Sequence, residues 1–142
     1  MRSLLLASAI ALAAGSGSAA TFEKVTGGVD GTLCNITAGA MLVQWAEGAT
    51  TFYVDGAKSD VAYFRTASGT LPIQGEYRNY GAGIESFIIE LQIGGEAEFL
   101  GFLSTTSAIF IPGEGGIGDV MVSVGAVPVN KFLACVAEHT GN

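Results

Sequence analysis

IESFIIELQIGGEAEFLGFLS, Ile84 to Ser104, changes its period halfway along, and that change decides the fold class. From Ile84 to Ile93 the residues alternate, with Phe87, Ile89, Leu91 and Ile93 on one face and Ser86, Glu90 and Gln92 on the other. Alternation of this kind is the signature of a strand with one buried face. After Gly94-Gly95 it stops. Phe99, Leu100, Phe102 and Leu103 then fall on one arc at 100° per residue, with Glu98, Gly101 and Ser104 opposite. This predicts a short helix near 96–104, with Glu96 and Glu98 in the first turn, where the positive end of the helix dipole favours them. A strand running into a helix within one stretch, in a glycine-rich chain, reads as α+β.

Working outward, the same two periods recur. AMLVQWA (Ala40 to Ala46) and TTFYVD (Thr50 to Asp55) flank Glu47-Gly48 and read as a β-hairpin, and VAYFRT (Val61 to Thr66) as a further strand. AIFI (Ala108 to Ile111) and DVMVSVG (Asp119 to Gly125) form a second hairpin about PGEGGIG, with Val120, Val122 and Val124 on its inner face. The run GGVDG at Gly27–Gly31 is turn chemistry, and the ordered core is expected to begin with Thr32-Leu33-Cys34. In KFLACVAEH, Phe132, Leu133, Cys135, Val136 and Ala137 share one broad helical face. Asn130 reads as its N-cap and Gly141 as its stop, giving a C-terminal helix near 130–139. The expectation is an α+β domain, mainly antiparallel sheet of about six to eight strands, with two helices.

The opening MRSLLLASAIALAAGSGSAA carries one arginine, the apolar run Leu4–Ala14 and a small-x-small ending, Ser18-Ala19-Ala20. It reads as a signal peptide, residues 1–20, removed before Thr21. The run is well short of the ~20 residues that span a bilayer, so no membrane span is expected. Residues 21–142 then form a single exported domain, periplasmic or secreted. The two cysteines, Cys34 and Cys135, are each other's available partner in an oxidising compartment, and a disulfide between them is expected. It would close a loop of about a hundred residues, nominally worth ~4.7 kcal/mol and in practice ~2–4. Neither cysteine lies in a CxxC arrangement or beside a basic residue in sequence, which argues for a staple over a redox centre.

The formal net charge is −7, and the basic residues Lys24, Lys58, Arg65, Arg78 and Lys131 are scattered. Without a basic patch, nucleic acid is excluded as a partner and anionic membrane surfaces are disfavoured. No catalytic signature is present. His139 is the one histidine, no Gly-x-Ser-x-Gly elbow occurs, and a zinc site would lack ligands once the cysteines are bridged. Glu90, Glu96 and Glu98 lie close in sequence, as do Asp55 and Asp60, but D-x-D-x-D-G is absent, so calcium is not indicated. No catalytic, cofactor or metal residue is assigned. Asn35-Ile36-Thr37 matches a glycosylation sequon beside Cys34, and Trp45 reads as core.

What remains is PIQGEYRNYGAG. Tyr77, Arg78 and Tyr80 are amphipathic residues in a glycine-flanked segment, of the types that anchor interfaces, and a partner-binding surface is expected there. The function this supports is a non-enzymatic module that binds another protein or a cell-envelope component; a small hydrolase using carboxylates is the alternative.

The helix FLGFL (Phe99 to Leu103), the strand SAIFI, a Gly-rich turn, MVSVGAV and a terminal helix bearing Cys135 together resemble the C-terminal part of small alphaproteobacterial periplasmic proteins, similar in layout to the invasion-associated locus B family. The resemblance covers Glu96 to Glu138. It implies a bacterial periplasmic setting and an α+β fold, and brings no catalytic residue.

Overall fold

The computed structural model describes residues 19–28, 31–112 and 120–140. The signal-peptide reading of residues 1–20 and the stop at Gly141 fall almost wholly outside them. The elements are β1 (Thr21–Gly28), β2 (Gly31–Ala38), β3 (Met41–Ala46), β4 (Ala49–Asp55), β5 (Val61–Thr66), β6 (Gly69–Gln74), β7 (Glu76–Gly81), β8 (Ile84–Glu90), α1 (Glu96–Ser104), β9 (Thr106–Phe110), β10 (Val120–Met121) and α2 (Ala126–His139). A six-stranded sheet runs β1-β2-β3-β4-β8-β7 and a four-stranded sheet β10-β9-β5-β6, with every pairing antiparallel. The α+β architecture is therefore as the periodicity indicated.

Local chemistry sets the hairpins. Glu47 and Gly48 both have positive φ, 51° and 87°, as do Ala82 and Gly83, 54° and 82°. Two consecutive positive φ values make the two-residue turn whose twist suits a tight hairpin. Between β3 and β4 this aligns Val43 with Phe52, both buried. The ordered sheet begins earlier than Thr32: β1 pairs with β2 from Thr21↔Thr37 to Gly28↔Gly31. Its apolar residues Phe22 and Val25 are three apart, a spacing that masks a strand in sequence.

The two sheets close over one core. Phe52 of β4 and Phe64 of β5 meet at 5.9 Å between ring centroids. α1 seals the space between them, Phe99 lying 5.3 Å from Phe52 and Phe102 5.4 Å from Phe64, while Leu100 and Leu103 are fully buried. The chain crosses from the small sheet to the large one at Gly75, between β6 and β7. At the other side the Ala20 N–H donates to the Ser123 carbonyl at 3.1 Å, joining the start of β1 to the segment after β10.

Other expectations are corrected. β8 ends at Glu90 rather than Ile93: the chain turns at 91–94, Ile93 is left 91% exposed, and Ser86, expected on the wet face, is buried with its hydroxyl donating to Asp55 Oδ1 at 2.9 Å. α2 begins at Ala126, with Gly125 rather than Asn130 as N-cap. Pro128 lies in its first turn, where a missing N–H costs no helical bond, so the sequence does not have to wait until Asn130. Ala137 faces solvent while Phe132, Cys135 and Val136 are buried. Of the second hairpin, β9 pairs with β10, but β10 is confined to Val120–Met121 instead of running to Gly125; Val122 and Val124, beyond it, are buried, Val120 is half-buried, and most of PGEGGIG lies outside the described residues.

Cys34 and Cys135 form the disulfide, with Cα atoms 6.1 Å apart, and it ties β2 to α2. No helix among the described residues is long and apolar enough to cross a membrane.

Candidate functional site: an open sheet edge

Tyr77, Arg78 and Tyr80 lie on β7, the outermost strand at one side of the six-stranded sheet. Pairing with β8 runs Glu76↔Ile88, Tyr77↔Phe87, Arg78↔Ser86 and Asn79↔Glu85, with an irregularity before Gly81↔Ile84. The Tyr77 N–H donates to Asp60 Oδ1 at 3.0 Å, away from β8. Ladder bonds alternate along an antiparallel strand, so the N–H and C=O of Asn79 point the same way, out of the open edge. The Glu85 carbonyl accepts from Gly56 N–H at 2.7 Å, on the β4 side, as that alternation requires.

The three side chains do different work. The Tyr77 hydroxyl donates to Glu85 Oε1, and Lys58 Nζ approaches the other oxygen at 3.6 Å. That hydrogen bond, with desolvation and the carboxylate charge behind it, holds the Tyr77 phenol above its ordinary ionisation range. Tyr77 is thus half-buried and committed to the hairpin. Arg78 Nε and Nη2 reach the two oxygens of Glu76 at 3.3 and 3.0 Å, and Nη2 also lies 3.3 Å from Glu90 Oε2. Bonding to the Glu76 carboxylate, then to Glu90 and Tyr80, raises the guanidinium further above its already high range. The same Glu76 contact lowers the Glu76 carboxyl. Tyr80 is 53% exposed and Ile84, at the far end of the hairpin turn, 59%. Arg78 and Tyr80 present to solvent, and Tyr77 supports them from behind.

The carboxylates that were close in sequence part company in space. Glu90 stands beside Arg78, whereas Glu96 is buried and accepts the Thr50 hydroxyl at 2.8 Å. Only Glu98 lines the hollow of about 310 Å³ formed with Leu91, Gln92, Gly95, Phe99 and Phe102. Among the described residues that line this hollow, Glu98 is the one carboxylate. Asn35 of the sequon lies mid-strand in β2 opposite Gln44, with its Oδ1 buried, and Trp45 is core as read.

The disulfide corner holds more charge than the sequence suggested. Lys24 stands opposite Cys34 across the β1–β2 ladder, and Lys24, Lys131 and Glu138 line a hollow of about 390 Å³ that reaches Cys135. His139 ends α2, half-buried, its Nδ1 2.9 Å from the Cys135 carbonyl and its ring 6.2 Å from Trp45. Lys131 precedes Cys135 by four residues and His139 follows by four, a helical spacing that sequence adjacency does not reveal.

Fold and site together describe a disulfide-tied α+β domain with an open antiparallel edge. Comparison with protein-family models, with curated proteins and with solved structures returns no match for this chain.

Proposed function

We propose that the chain is an exported, non-enzymatic protein that binds another protein, or a proteinaceous envelope component, by taking its extended segment as a strand alongside β7. One observation carries the reading: among the described residues, β7 is the sheet edge that is several residues long, free of proline and uncovered by a helix, with Asp60 taking the outward N–H of Tyr77 and leaving that of Asn79. β1 is packed by α2 and linked to it by Lys24–Glu138 at 3.2 Å, β6 carries Pro72, and β10 has two residues. Short strands, proline and covering elements are how sheets blunt their edges, and strand addition uses an edge left open. Asn79 would supply main-chain bonds, and Arg78 and Tyr80 side-chain contacts.

The signal-like first twenty residues support export, and the layout shared with the invasion-associated locus B family supports a periplasmic setting. Pull-down from periplasmic extract with wild type and Arg78→Ala tests the reading. The variant should keep its melting temperature and lose about tenfold in capture, as expected of an interface anchor. A large fall in melting temperature with capture intact would show that Arg78 only braces the hairpin and would remove the site.

A further inference from the structure

The corner where α2 meets β2 gathers groups that the edge-binding reading leaves unused. The sulfurs of Cys34 and Cys135 and a ring nitrogen of His139 all lie within 4.8 Å of one another. Cys135 and His139 are one turn apart on α2, and β2 supplies Cys34, so all three sit on regular elements rather than loops. The Nδ1 contact with the Cys135 carbonyl fixes the imidazole ring; with Nδ1–H donating, Nε2 keeps its lone pair. Metal-binding histidines are commonly held in this manner. Cys34 is fully buried and Cys135 nearly so, which limits competition from water.

We propose that the two-electron-reduced chain binds Cu(I) through Cys34 Sγ, Cys135 Sγ and His139. The bridge is opened by a dithiol reductant: the S–S bond breaks, the two cysteines take up two electrons and two protons, and the dithiol becomes its own disulfide. Cu(I) then replaces the thiol protons, which leave to solvent. Metal–sulfur bonds of ~2.3 Å and metal–nitrogen bonds of ~2.0 Å place ligands up to about 4.5 Å apart, close to the 4.8 Å within which these three groups already lie. Thiolates favour soft ions, and three ligands complete a trigonal Cu(I) sphere, whereas structural zinc takes four. No fourth histidine, cysteine or carboxylate joins the group among the described residues. Lys24, Lys131 and Glu138 line the hollow that reaches Cys135, the route by which reductant and metal would approach. The metal would restore the link between β2 and α2 that reduction removes, so its binding energy would appear as folding stability.

The test uses the full exported chain, reduced with dithiothreitol, freed of reductant anaerobically and titrated with Cu(I) against bicinchoninate as competing chelator. The expected result is withdrawal of one Cu(I) per reduced chain, none by the oxidised chain, and a higher melting temperature for the copper-loaded reduced form. His139→Ala, at the end of the helix, should weaken binding at least tenfold. Failure to withdraw Cu(I), binding that takes Zn(II) but refuses Cu(I), equal affinity in denaturant, or His139→Ala binding as tightly as wild type would each overturn the site.

Discussion

Gly75 shows how narrowly one position can be determined. A Cβ there would lie 2.5 Å from the Phe87 ring and 2.7 Å from the Ile88 carbonyl, and the Gly75 N–H donates to the Asp60 carbonyl at 2.7 Å. Phe87 is fully buried and cannot retreat without moving the core. Gly75→Ala should therefore cost ~1–3 kcal/mol, read from denaturant unfolding. Ala82 is the opposite case, a side chain held at φ 54° where glycine is at ease. Ala82→Gly should leave the turn intact and stabilise by up to ~1 kcal/mol. Tyr77 supplies a pH dependence. Its phenol is held above its ordinary range by Glu85, so the folded state favours the protonated form. The associated stability is present in full below the ordinary tyrosine pKa of ~10 and is lost as pH rises through the higher folded value. Spectrophotometric titration should show the Tyr77 phenol ionising late, and Glu85→Gln should bring it back toward its ordinary range.

At the scale of elements, α1 depends on a buried carboxylate that its sequence hides. Glu96 stands in the first turn as the dipole argument expects, but it is buried against the Thr50 hydroxyl rather than solvated. Thr50→Val should leave that carboxylate without its partner and cost ~1–3 kcal/mol by thermal or denaturant unfolding. Where one face of an element alone meets the core, sequence was enough: β3, β4 and α1 were legible because their apolar residues keep strict periods. β1 and the end of β8 were not. Phe22 and Val25 break alternation, and Ile93 continues it into a turn that nothing covers. The candidate site was legible only as a set of residue types. Tyr77, Arg78 and Tyr80 could be picked out by composition, but that they occupy an outer strand depends on β8 pairing with β4, a contact between distant parts of the chain. Likewise the approach of Lys24 to the disulfide needs the β1–β2 register, and that of His139 and Lys131 the docking of α2 on β2.

For the whole molecule, two sheets sharing one core leave α2 at the periphery, and the disulfide is what binds it covalently to β2. The bridge spans a sequence separation of 101 residues. Loss of such a bridge in a small domain costs about 2–5 kcal/mol, so a Cys34→Ser/Cys135→Ser chain should unfold at markedly lower denaturant than wild type. The proposed strand addition places the partner's chain alongside β7. Because the Asn79 N–H points out of the sheet, Asn79→Pro would remove an edge donor without taking a bond from the β7–β8 ladder; it also removes the Oδ1 that accepts the Gly81 N–H at 2.8 Å, a loss that Asn79→Ala, which keeps the edge N–H, reproduces as the control. The most direct measurement is side-by-side capture of periplasmic partners by wild type and Asn79→Pro, with melting temperatures recorded on the same samples. Loss of capture at an unchanged melting temperature is the predicted result. Equal capture by a folded Asn79→Pro chain would contradict strand addition at β7.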